Sequence, residues 1–237
     1  MQDYKKEAAK EALKFIKPGM TVGFGAGSTM GNIVKLIKEN AGLFGSLNTV
    51  TSSFSTRQLL LAEGFRVLEA GWLSSLDLYF DGCDQFDWRL TALKSGGGVH
   101  TSEKVLAAMA AEFVLVGDAS KKVDRLDARY PLVVEVIPEA LGYVSDRLKK
   151  FFNPSRSELR MAGAVKDGAV VTERGNFLID NWFSSFPEPA MLNDRVTSIA
   201  GILEHSLFFN MAHKAVIAGP GALKFVVSHE DSIDIGG

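Results

Sequence analysis

Between Asp81 and Glu103 the chain reads DGCDQFDWRLTALKSGGGVHTSE, which gathers Asp81, Asp84, Lys94, three consecutive glycines and Glu103 into one short stretch. A carboxylate base, a nearby cation and free backbone N–H donors are the groups needed to take a proton from carbon and hold the resulting oxyanion. Gly96, Gly97 and Gly98 lack a Cβ, so backbone there can approach a ligand closely. Thr101 or Ser102 is positioned to cap the helix that EKVLAAMAAEF suggests, with Glu103 in its first turn, where the helix dipole favours an ionised carboxylate. The preceding LDLYF reads as a buried strand. Asp81 to Asp84 would then follow its carboxyl end, where open α/β sheets bind ligands. Taken alone, the Asp81/Asp84 pair fits a metal site, an acid/base pair or a solvated turn. Two carboxylates with no third ligand argue weakly for metal.

Other segments carry weaker chemistry. GFGAGST, at Gly23 to Thr29, joins a strand to a helix and is either a phosphate cradle or a tight structural connection. TSSFST, at Thr51 to Thr56, is a second hydroxyl-rich loop, read mainly as a helix cap. Lys121 follows FVLVGDAS at another strand end, where an ammonium meets phosphate as a point charge or stays on the surface. Cys83 sits among acidic residues that disfavour thiolate, so a small, partly buried side chain fits better than a nucleophile. His100 reads as an imidazole behind the site or on the surface, and NFLIDNWFSSF as core or lid packing.

The elements that must position these groups follow from periodicity. Residues 3 to 16 form an amphipathic helix stopped by Pro18-Gly19. Strand, loop and helix then alternate through TVGF, NTVTSSF, STRQLLLAEGF, FRVLEA, LDLYF and FVLVGD, the grammar of a parallel α/β sheet. After PLVVEVIPEALGYVSDRLKKFF the texture changes. ELRMAG, AVVTE and FLIDNWF read as antiparallel strands, a helix follows from Ala190, and AVIAGP and LKFVV return as core strands. The expected fold is α/β, a Rossmann-like, doubly wound, mostly parallel sheet with a smaller α+β domain inserted toward the C-terminus. Residues 1–128 plus 207–237 would form the first domain and 129–206 the second. The 237 residues carry 26 Lys and Arg against 28 Asp and Glu, a net charge of −2 that offers no basic field for nucleic acid. One cysteine excludes an internal disulfide and a cysteine-based metal centre. A charged N-terminus without an apolar leader and no membrane-length apolar run make a cytoplasmic setting, with no membrane partner, the expectation.

Seven fragments in order, GAGST, TSSFST, LDLYFDGCDQ, ALKSGGGVHTSEK, VGDASKKVDRL, PLVVEVIP and RGNFLIDNW, resemble the A type of ribose-5-phosphate isomerase over nearly the full length. The resemblance implies interconversion of D-ribose 5-phosphate and D-ribulose 5-phosphate in the pentose phosphate pathway, without metal or organic cofactor. It implies Glu103 as base, Lys94 as stabiliser of a cis-enediolate, and Asp81 and Asp84 as partners of the sugar oxygens. Ala26, Gly27, Ser28, Thr29, Gly82, Cys83, Ser95, Gly96, Gly97 and Lys121 match substrate-binding positions, with Lys5 a further phosphate contact. A homodimer or homotetramer is implied as well. The chain departs from the family at Ala26, commonly Thr, at Gln85, commonly acidic, at Ser95 inserted after the lysine, and at His100, usually apolar. A noncatalytic sugar-phosphate sensor and a coenzyme A transferase using glutamate as nucleophile are the competing readings.

Overall fold

Strands as apolar as TVGF and LYF are stable only where helices cover both faces of their sheet. In the computed structural model, which describes residues 3–220 and 224–228, the first half runs α1 (Tyr4–Ala12), β1 (Thr21–Phe24), α2 (Ser28–Glu39), α3 (Ala41–Phe44), β2 (Asn48–Thr51), α4 (Phe54–Ala62), β3 (Leu76–Asp81), β4 (Gln85–Phe86), β5 (Ala92–Leu93), α5 (His100–Met109) and β6 (Ala110–Asp118). The second half runs β7 (Leu132–Val136), α6 (Leu141–Phe152), β8 (Arg156–Leu159), β9 (Phe177–Trp182), α7 (Pro189–Thr197), β10 (Ile202–His205), β11 (Leu207–Phe208), β12 (Lys214–Ala218) and β13 (Lys224–Ser228).

The main sheet has the order β13-β12-β6-β3-β1-β2, with the five strands from β12 to β2 parallel and β13 antiparallel at the edge. On one face Phe24, Phe80, Val114 and Val216 pack against Ala9 of α1 and Ile33 and Ile37 of α2. On the other, Tyr79, Phe113 and Leu115 pack against Leu106 and Ala107 of α5. This is the expected doubly wound sheet. From β1 the chain passes to β2 on one side and returns to β3 on the other, so the loops after β1 and β3 diverge. Such a reversal of strand order opens a crevice at the carboxyl ends of the strands.

A second, antiparallel sheet has the order β10-β7-β9-β8, and α6 and α7 cover it through Val144, Leu148, Leu192 and Val196. A third, of order β11-β5-β4, is small and antiparallel. Two expected strands are missing. FRVLEA contributes one parallel bridge, Val67 to Thr49, before a 3-10 turn at Ala70–Trp72. AVVTE contributes only the bridges Met161 to Ala169 and Val171 to Phe177, because glycines 163, 168 and 175 take positive φ and keep the chain turning. At the C-terminal end β12 and β13 join the main sheet, while residues 229–237 of the segment assigned to the first domain lie outside the described residues. Among the described residues no helix is long and apolar enough to cross a membrane.

Candidate active site

Side chains alternate along a strand, so Tyr79 and Asp81 of β3 share the face turned to α5. On α5, Glu103 lies one turn before Leu106 and Ala107 and faces the same way. Lys94 arrives by another route. After Asp81 the chain makes the β4–β5 excursion, closed by Asp84 N–H donating to the Leu93 carbonyl at 2.8 Å and Lys94 N–H to the Ser206 carbonyl at 2.9 Å. The lysine Nζ then lies 2.8 Å from Asp81 Oδ2 and 3.4 Å from Glu103 Oε2, and donates to the Gly82 carbonyl at 2.5 Å. All three side chains are buried. Asp81 also accepts from the Tyr79 hydroxyl at 2.8 Å and from Gly82 N–H at 2.7 Å. Its carboxylate occupies space that only glycine leaves free, since a Cβ on Gly25 would stand 1.9 Å from Asp81 Cγ.

Two buried carboxylates share one ammonium. Burial pushes the Glu103 pKa up to about 8, the Asp81 charge adds to that rise, and Lys94 opposes it. Burial alone would lower the Lys94 pKa, but Asp81 and then Glu103 outweigh it, so the ammonium stays charged with its pKa raised. The result is a carboxyl group that titrates near neutrality beside a permanent cation, which is the pKa match a general base requires. Tyr79 stays a neutral phenol, because burial and then the Asp81 and Glu103 charges raise its pKa well above the usual value. The Cys83 thiol is pushed up to about 12. Burial does most of this and the acidic neighbours less.

A cleft of about 380 Å³ opens beside the triad. Asp84, Gly82, Cys83, Gly96 and Gly97 wall one part, and Ala26 to Thr29 at the start of α2 wall another. Lys5, Val116, Gly117, Asp118 and Lys121 complete it. Gly27 has φ 100° and no side chain caps α2, so first-turn N–H groups are left for a ligand or water. With the helix dipole and two lysines nearby, this end suits an anion. Ser95 stays out of the cleft walls: its N–H donates to Asp84 Oδ2 and its hydroxyl to the Pro131 carbonyl, both at 2.5 Å. Among the described residues no group of three His, Cys, Asp or Glu side chains is placed to hold a metal ion.

Residues 48–221 match the family model described as ribose 5-phosphate isomerase A (phosphoriboisomerase A). The chain belongs to the ribose 5-phosphate isomerase A family. A ribose-5-phosphate isomerase A of Thermosynechococcus vestitus is 35% identical over 214 residues, covering 90% of this chain and 89% of the relative. That of Pyrococcus horikoshii is 33% identical over 219 residues, covering 92% and 94%. A solved ribose 5-phosphate isomerase A from Methanocaldococcus jannaschii superposes with a TM-score of 0.85 at 30% identity, covering 94% of this chain and 97% of that one. A D-ribose-5-phosphate isomerase in complex with phospho-erythronic acid gives 0.87 at 31% identity, covering 96% and 100%.

Against this ribose 5-phosphate isomerase A background, the site residues named from sequence meet at one cleft, with Ser95 the exception. Neither Thr101 nor Ser102 caps α5. Val99 stands at the cap position without a side-chain bond, the Thr101 hydroxyl donates to the buried Glu135 carboxylate, and Ser102 accepts from Arg174 at 2.7 Å. A buried carboxylate is a stronger acceptor for Thr101 than anything local. His100 is buried, with Nε2 3.4 Å from the Glu204 carbonyl and its pKa lowered to about 3 by burial and then Lys104, so it stays neutral and outside the cleft. TSSFST does not wall the cleft either. Ser53 caps α4 and Thr56 donates to the Gly25 carbonyl at 2.9 Å. Tyr79 and Gly25 escaped the sequence reading, although their spacing of two from Asp81 and from Gly23 was a visible signal.

Proposed function

We propose that this chain is an aldose–ketose isomerase that interconverts D-ribose 5-phosphate and D-ribulose 5-phosphate through a cis-enediolate. The observation that carries the proposal is one ammonium held between a carboxylate that takes up protons near neutrality and a second one, 3.4 and 2.8 Å away. In the aldose-to-ketose direction the Glu103 carboxylate takes the proton on C2, the C–H electron pair becomes the C1–C2 double bond, and the aldehyde oxygen becomes an oxyanion. Lys94 Nζ is the donor for that charge, in a buried site where such a donor acts strongly. Asp81 passes the proton of the C2 hydroxyl to the C1 oxygen, and Glu103 returns its own proton to C1. Asp84, with Gly82, Cys83, Gly96 and Gly97, holds the sugar. Ala26 to Thr29 at the α2 N-terminus, with Lys121 and Lys5, holds the phosphate, and backbone N–H groups serve where Ala26 lacks a hydroxyl.

The reading includes a homodimer or homotetramer in the cytoplasm and a division into 1–128 plus 207–237 and 129–206. That division is supported by a second sheet whose strands all fall within Leu132–His205. A noncatalytic sensor would gain nothing from burying Glu103 against Asp81. Purified protein given D-ribose 5-phosphate, with and without chelator, is expected to form D-ribulose 5-phosphate equally in both arms, followed by NMR. Binding without ketose formation would overturn the isomerase, and loss of activity on chelation would overturn the metal-free steps.

A further inference from the structure

Tyr79 and Ser52 lie behind the carboxylates and have no part in the steps above. Tyr79 is fully buried, and its hydroxyl donates at 2.8 Å to Asp81 Oδ2, the same oxygen that meets Lys94. The phenol has one hydrogen, so at its 3.2 Å contact with Ser52 Oγ it is the acceptor and the serine donates. Ser52 also borders a second cleft of about 260 Å³, shared with Arg57, Ser102 and Arg174 and separate from the first. β1 makes room for this arrangement at two positions. A Cβ on Gly23 would stand 2.7 Å from Tyr79 Cδ2, just as one on Gly25 would collide with the Asp81 carboxylate. GFG therefore leaves adjacent slots for the two side chains that β3 turns to α5.

We propose that Tyr79, oriented by Ser52, is a positioning residue that fixes the Asp81 carboxylate with Oδ2 turned to Lys94, the orientation in which Asp81 passes the C2 hydroxyl proton to the C1 oxygen. The proposal deepens the isomerase reading and rests on it. Asp81 is faced by Lys94 from the segment after β5, by Glu103 from α5, by Tyr79 on its own strand and by Cys83 on the loop that follows; β1 offers only Gly25. A hydrogen bond to a charged group fixes the direction of its acceptor as well as adding energy. Removing the phenol hydroxyl takes from Oδ2 the donor that is itself buried and held by Ser52, so the carboxylate is free to turn. The proton-moving step must accordingly slow.

The test is kcat and KM on D-ribose 5-phosphate, measured separately, for the wild type, Tyr79→Phe and Ser52→Ala. Phenylalanine keeps the ring in its slot. Its kcat is expected about 10-fold lower, the size of one hydrogen bond to a charged group, with KM unchanged, because the groups that hold the sugar and the phosphate are untouched. Ser52→Ala should lower kcat by less with KM again unchanged, and it serves alone if Tyr79→Phe does not fold. An unchanged kcat, or a loss of kcat/KM carried by KM, would show that the hydroxyl only packs. Failure of the isomerase reading, seen as no ketose from wild type, is thereby separated from failure of this one, seen as an unchanged kcat in both variants.

Discussion

Replacing Glu103 by Gln keeps the volume of the side chain and removes its proton chemistry, so one substitution reports on catalysis and stability together. The residue is 5% exposed, and its pKa rises from 4.5 to about 8 on folding. Across that window the unfolded chain has released a proton that the folded chain keeps. Stability then falls as pH rises from the unfolded to the folded pKa and is flat outside those limits. At about 1.4 kcal/mol for each pH unit above the unfolded pKa, the penalty reaches about 3 kcal/mol near pH 7. Gln is neutral throughout and escapes it, less about 1 kcal/mol for an amide imperfectly matched to Lys94. A net gain of about 2 kcal/mol corresponds to a Tm roughly 4–8 °C higher in a domain of this size. The gain should turn into a loss of about 1 kcal/mol at pH 4.5, where only the amide mismatch remains, and be largest at pH 8, the two ends of the window. Thermal unfolding followed by circular dichroism at both pH values, beside turnover on D-ribose 5-phosphate, decides the matter. Turnover is expected to fall by about 10²- to 10⁴-fold. A variant no more stable than wild type, or stabilised equally at every pH, would refute the burial argument, and near-normal turnover would remove Glu103 as the base.

Two further substitutions probe the same triad. Lys94→Ala should lower kcat by about 10²- to 10³-fold. It should also cost roughly 3–5 kcal/mol in urea unfolding at neutral pH, because Asp81 and Glu103 then face each other unpaired; a loss unrelieved by acidification would contradict that cause. Gly25→Ala must displace the Asp81 carboxylate, since the new Cβ would stand 1.9 Å from its Cγ. Turnover is expected to drop to the level of Asp81→Ala with the far-UV spectrum retained, and a wild-type rate would show that the aspartate's orientation is unimportant.

What the sequence disclosed and what it withheld divide along a physical line. Asp81, Lys94 and Glu103 were legible because a strand end, a glycine run and a helix start lie in one continuous stretch, and each of those signals is local. How Lys94 reaches the other two was not legible. It depends on the two-residue strands β4 and β5 and on the Ser206 carbonyl, a partner supplied by the chain more than a hundred residues later. The Thr101 cap failed for the same reason, since Glu135 on β7 competes for that hydroxyl and lies outside any local window. FRVLEA has the composition of a strand but finds only one bridge at the sheet edge, beside β2.

GFGAGST shows the limit most clearly. A glycine-rich turn after a strand reads either as a phosphate cradle or as a tight connection, and both readings look along the chain. Gly23 and Gly25 answer to something across it, the Tyr79 ring and the Asp81 carboxylate on the neighbouring strand. A glycine kept for the space beside it leaves the same mark in a sequence as one kept for its dihedral angles, and only the pairing of β1 with β3 separates the two causes. The part of the loop beyond Gly25 is different. Gly27 does take a positive φ, and it leaves the start of α2 without a side-chain cap at the cleft. One short motif thus serves two ends of the site. Its first two glycines make room for Tyr79 and Asp81 and its third opens a helix N-terminus to an anion, which is why neither reading of the motif was complete by itself.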